Sequence, residues 1–228
     1  MPGKSRDSLQ QPLHRLAEAT KIGWERRAIR FCLDPTNPQE LKSATQPDEH
    51  FTSASTQHDV NGCAYYKFIE ADNLLMIGFR GSKIATNAEA NDVNIQNWTN
   101  NLNCAHVDFS DMLDNGALNG RFHGGKIHQG IWKEYRALKA FVYRQVNIFS
   151  SNPDKPLQVL IVGHSLGGAL AILCAADLWL NTAIKANQIS LVTFGSPRVG
   201  NRVFATWFDE QDWIANIRVE VKGDPVVN

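Results

Sequence analysis

The stretch "LQVLIVGHSLGGALAILCAADLWL" (157–180) joins an aliphatic run to a longer apolar run through a glycine-rich turn that carries one serine, Ser165. Its first half is apolar at nearly every position, as in a strand covered on both faces, and its second half is too long for a strand and reads as a helix. Working outward, Ile131, Tyr135, Leu138, Val142 and Phe149 mark a helix face before it. After it, "ISLVTFG" (189–195) predicts a strand, "NRVFATWFDEQDW" (201–213) a helix and "IRVEVKG" (217–223) a strand. Strands alternating with helices in βαβαβ order require a mostly parallel central sheet with helices on both faces. Upstream, "CAYYKFIEADNLLMIGFRG" (63–81) predicts two strands around the turn "EADN", the second stopped by Gly81. "LHRLAEATKIGWERRAIRFC" (13–32) repeats apolar residues at helical spacing, and the polar, proline-bearing stretch 34–59 predicts a surface loop.

A chain of 228 residues suits one sizeable α/β domain, and no linker, repeat or low-complexity segment divides 1–228. Lys plus Arg balance Asp plus Glu at 23 each without forming blocks, so no basic stripe predicts a nucleic-acid partner. No apolar run reaches the length of a transmembrane segment, and "MPGKSRDSLQQPLHRL" lacks the apolar core of a signal peptide, which makes a cytoplasmic location the default expectation. Cys32, Cys63, Cys104 and Cys174 are scattered and read as thiols. "GRFHGGKI" (120–127) has phosphate-loop spacing, but Ile127 stands where a Ser or Thr should reach magnesium. His123 and His128 lack the helical frame of a zinc protease, and "NWT" (97–99) is a sequon only in a secreted chain. No metal or organic cofactor is expected.

In an open parallel sheet the ligand crevice lies at the carboxyl ends of the strands, where Ser165 sits. Gly163 and Gly167 flank it at the positions a sharp strand-to-helix turn needs, and the helix that follows begins with unpaired N–H groups, that of Leu166 first, suited to an oxyanion. This context favours a nucleophilic serine over one that merely caps a helix.

"GHSLGGA" (163–169), "FRGS" (79–82), "NW" (97–98), "IHQG" (127–130), "TFGSPRVGN" (193–201) and "DPV" (224–226) occur in the order found in class 3 lipases, the fungal triacylglycerol lipase type with an α/β-hydrolase fold. The resemblance covers about residues 60–228; residues 1–59 carry no matched motif. It implies hydrolysis of lipid or small carboxylic esters, with Ser165 as nucleophile, Asp224 as triad acid and Ser82 in the oxyanion hole. Position supports the last two: Asp224 and Ser82 each follow a predicted strand at its carboxyl end, and Gly223 and Pro225 set a tight turn around the aspartate. Asp154, Asp177, Asp209 and Asp212 fall in helices or in loops preceding strands and are poorer candidates.

The base is the difficulty. In this fold the histidine follows the acid, yet only Pro225, Val226, Val227 and Asn228 follow Asp224. His164 occupies the turn itself, with its side chain expected beneath the sheet. Three readings account for this: a fragment lacking the family's C-terminal segment, a complete ester- or lipid-binding pseudoenzyme, or a substitute base, for which His128 is the best placed. His128 also reads as a hydrogen-bonded structural residue. The family carries a lid between "FRGS" and "NW"; here 83–96 is polar, which fits either soluble or short-chain esters or a plain surface loop, and 108–125 fits a pocket rim.

Overall fold

The computed structural model describes residues 49–52, 63–81, 105–114, 124–150, 155–220 and 222–223. The helix expected over 13–32, Ser82, the segment 83–96, Cys32, Cys104 and Asp224 lie outside the described residues. Within them run β1 (Glu49–Thr52), β2 (Cys63–Ile69), β3 (Leu74–Phe79), β4 (His106–Asp108), β5 (Lys126–His128), α1 (Gln129–Phe149), β6 (Gln158–His164), α2 (Leu166–Asn181), β7 (Ile189–Phe194), α3 (Arg202–Asp209) and β8 (Ala215–Val219). The strands expected over 63–69 and 74–80 are β2 and β3, and the turn between them is a single 3₁₀ turn closed by Asn73 in the left-handed region, which asparagine tolerates.

One sheet has the order β1-β2-β3-β6-β7-β8, antiparallel from β1 to β3 and parallel from β3 to β8. Strand β1 lies inside the stretch read as a loop. Its four residues carry no apolar alternation, and only pairing with β2 (His50 opposite Tyr65) makes them a strand. Strands β4 and β5 form a second, two-stranded sheet in the polar segment before α1, a sheet the sequence pattern did not announce.

Alternation sorts the side chains of the main sheet. Ala64, Leu75, Ile77, Phe79, Val159 and Ile161 join one buried cluster, and Cys63, Tyr65, Met76, Leu160 and Val162 another. Both faces are therefore shielded from water, as the apolar runs required. The buried apolar side chains of α1, α2 and α3 belong to the first cluster. Crossovers β6–α2–β7 and β7–α3–β8 step in one direction along the sheet, and right-handed connections that do so place their helices on one face. Helix α2 is apolar all round because it is enclosed between the sheet and α1, with Gly167 through Ala171 and Leu173 through Leu178 buried. Cys63 and Cys174 are both buried. Among the described residues no helix is long and apolar enough to cross a membrane.

Helix α3 is shorter than the 201–213 expected. The Gln211 amide donates to the Trp207 carbonyl (2.5 Å) and the Trp213 indole to that of Phe208 (2.7 Å), so side chains satisfy the last carbonyls and the helix ends. Its start is fixed by Asn201, whose side-chain oxygen accepts from the amides of Phe204 (3.1 Å) and Lys126 (3.0 Å) while its amide donates to the Gly124 carbonyl (2.6 Å). One side chain thus caps α3 and ties it to β5.

Candidate active site

Strand β6 ends at His164, and Ser165 turns the chain into α2 with φ 53° and ψ −127°. Among the described non-glycine residues only Asn73 shares a positive φ, and Asn73 lies in the ordinary left-handed basin, whereas Ser165 does not. Such a conformation persists only where surrounding contacts over-determine it. Here the Ser165 amide donates to the Phe194 carbonyl (2.9 Å), and the Ser165 carbonyl accepts from Gly168 (2.9 Å) and Ala169 (3.4 Å). The glycines let the backbones close in: a Cβ on Gly163 would stand 2.0 Å from the Gly167 carbonyl oxygen, and one on Gly167 would stand 2.1 Å from that of Phe79. The sharp strand-to-helix turn expected at Ser165 is present, and its flanking glycines are sterically required.

Register gathers the remaining elements along one edge. Phe79 pairs with Gly163, His164 with Phe194, and Phe194 with Val219, so the chain leaves β3, β6, β7 and β8 side by side. Gly81, just past β3, abuts the turn: a Cβ there would lie 2.9 Å from the His164 carbonyl oxygen and 3.4 Å from the Ser165 Cβ. Ser165 is half-buried, open enough to meet a ligand. Leu166 is the first residue of α2, and its N–H meets no acceptor among the described residues. Gly223 lies in a turn with φ 91°, and the rest of the tight turn expected around Asp224 lies outside the described residues. His164 is exposed; as the last residue of β6 it shares by alternation the face of Leu160 and Val162, at the carboxyl edge beside Gly81.

His128 is buried at the start of α1, where its Nδ1 accepts from the amides of Gly130 (3.1 Å) and Ile131 (3.3 Å) and its own N–H donates to the Val199 carbonyl (2.8 Å). It is the N-cap of a 21-residue helix, with its Nδ1 engaged by two helix amides. Asp177, passed over in the sequence, is fully buried away from the turn. It accepts from the hydroxyl of Tyr135 (2.6 Å), the amide of Asn181 (2.7 Å) and the ammonium of Lys139 (2.9 Å). Burial raises its pKa, opposed by the Tyr135 hydrogen bond and the Lys139 charge. This is a structural pin between α1 and α2. Among the described residues no three His, Cys, Asp or Glu side chains converge as a metal would need.

Two groups at the turn were missed as functional. The carbonyl of Phe194 seats the Ser165 amide, and Ser196, fully buried, backs Gly168, where a Cβ would stand 2.7 Å from its own. Both belong to "TFGSPRVGN", a motif legible in the sequence whose contacts were not.

Residues 76–228 match the Lipase (class 3) family. The chain belongs to the class 3 lipase family. Over 142 residues it is 32% identical to "Phospholipase A(1) DAD1, chloroplastic" of Arabidopsis thaliana, covering 60% of this chain and 29% of that protein. Over 140 residues it is 29% identical to a lipase of Rhizomucor miehei, covering 60% of this chain and 32% of that one. The matches span about a third of the length of these curated relatives. The solved Rhizomucor miehei triacylglyceride lipase superposes with a TM-score of 0.65 at 21% identity over 87% of this chain and 71% of its own. A fungal lipase–inhibitor complex gives 0.64 at 23% identity over 92% and 73%. These likenesses show that the chain has the α/β-hydrolase fold, with the mostly parallel sheet and helices described above.

Proposed function

We propose that this class 3 lipase hydrolyses carboxylic esters of lipids through an acyl-enzyme on Ser165. The observation that carries the reading is the strained Ser165 conformation at the shared carboxyl edge of β3, β6, β7 and β8, which lifts one hydroxyl to the head of α2. In this reading Ser165 attacks the ester carbonyl, and the Leu166 N–H with Ser82 stabilises the developing oxyanion. Asp224 orients an imidazole that takes the serine proton and returns it to the leaving alcohol. Water then releases the acid.

The 228 residues place no histidine after Asp224. Losing a triad base removes on the order of 10⁴- to 10⁶-fold in rate, while the oxyanion hole and binding retain roughly 10³- to 10⁴-fold over water. The 228-residue chain assayed alone is thus a weak esterase at best. The polar 83–96 segment favours soluble or short-chain esters over bulk triglyceride.

Hydrolysis of a short-chain p-nitrophenyl ester by the folded chain, beside Ser165→Ala and His128→Ala, tests this. The expected rate is low, falls to background in Ser165→Ala, survives in His128→Ala and rises with added imidazole only when Ser165 is present. Equal loss in both variants makes His128 the base. Activity indifferent to Ser165→Ala overturns the serine mechanism, and a folded chain that binds an ester without any turnover, with or without imidazole, leaves a binding protein on the same fold.

A further inference from the structure

The Ser165 turn rests on the segment Phe194–Ser196, and that segment is held from behind by β8. The ladder between β7 and β8 ends at Phe194 and Val219, and the next contact is the Gly195 amide donating to the Val219 carbonyl (2.9 Å). Beyond it the carbonyl of Ser196 has no ladder donor. A side chain supplies one: Nη2 of Arg218 donates to it at 2.5 Å, while Nε pairs with the Glu220 carboxylate. Arg218 stands opposite Thr193 in the register, so its guanidinium reaches past the ladder to a carbonyl three residues further on. The other side of the same segment receives the Ser165 amide on Phe194 and packs buried Ser196 against Gly168.

We propose that Arg218 is a positioning residue for the Ser165 turn: by clamping the Ser196 carbonyl it fixes the 194–196 segment on which the nucleophile's amide is seated. Its relevance to catalysis rests on the serine reading above. A planar guanidinium suits the task because it donates to a carbonyl and a carboxylate at once. An Arg218–Glu220 pair acting only as an exposed ion pair would contribute little and would leave the turn untouched.

Residue-resolved amide hydrogen exchange on the 228-residue chain separates these cases without needing turnover. In Arg218→Ala and Arg218→Gln, exchange at Ser165 and Gly195 is expected to accelerate roughly 10- to 100-fold, the effect of losing a charge-assisted hydrogen bond, while Val159–Val162 of β6 keep wild-type protection. Arg218→Lys should recover part of the protection, since an ammonium still donates to a carbonyl, and Glu220→Ala should leave Ser165 close to wild type. Unchanged exchange at Ser165, or one common acceleration across β6 and the turn, overturns the proposal. Where Ser165-dependent hydrolysis is measurable, Arg218→Ala should lower kcat with KM nearly unchanged. Loss of the Ser165 dependence itself would sink the serine reading, whereas the exchange result would stand or fall separately.

Discussion

Ser165 sets stability against chemistry within one residue. Glycine adopts a positive φ without the steric penalty that serine carries, so Ser165→Gly should raise stability by about 1 kcal/mol in urea unfolding while removing the hydroxyl on which the proposed chemistry depends. The neighbouring glycines behave oppositely. In Gly163→Ala the new methyl would fall 2.0 Å from the Gly167 carbonyl oxygen, a clash with backbone that no rotamer relieves, so a loss of about 3 kcal/mol or more is expected, with the turn displaced. The need for Gly163 and Gly167 was legible because tight turns and close backbone approach exclude side chains whatever the surroundings. The seat on Phe194 and the Arg218 clamp were not, because each joins residues brought together only by the register of β6, β7 and β8.

At the scale of elements, the buried parallel strands and α2 announced themselves through unbroken apolar runs, and β1, β4 and β5 did not. Each of those three is short, and β1 and the β4–β5 pair become strands through a partner rather than through their own pattern. The predicted helix 201–213 overran α3 because apolar spacing continues through Trp213, whose indole instead closes the helix end. His128 belongs to this scale as well. Removing the cap in His128→Ala should cost about 1 kcal/mol of stability, and His128→Asn, another good cap, should restore much of it; thermal melts of the three proteins decide this. Of the site, the sequence exposed Ser165 and the head of α2, but not that His128 already spends its Nδ1 on two helix amides.

Across the whole molecule, a polar network, buried at Asp177 and exposed at Asp114, joins α1, α2 and the 3₁₀ turn at 109–112. Tyr135 and Lys139 meet Asp177, the Asn181 amide donates to the Met112 carbonyl (2.7 Å), and Asp114 accepts from Lys139 (2.7 Å) and Tyr143 (3.3 Å). Burial, reinforced by Cys174 and Asp177, raises the Tyr135 pKa well above 10.0, and burial with Asp177 and Asp114 raises that of Tyr143 in the same direction. The unfolded chain releases these protons near pH 10 while the native protein keeps them, so stability should fall as pH rises above 10, by up to about 1.4 kcal/mol per pH unit for the Tyr135 proton. Tyr135→Phe, weaker at neutral pH for want of its hydrogen bond, should show a shallower alkaline decline in urea midpoints. The order of the sheet reaches further still. Strands β6, β7 and β8 pair with neighbours one helix away in sequence, but β3 meets β6 only after closing the long span between Phe79 and Gln158. Local contacts form before distant ones because loop closure costs entropy before any contact repays it. The serine turn is therefore expected to take shape before Gly81 comes against it, because that contact waits on the docking of β3, and the two sides of the edge around Ser165 meet only then.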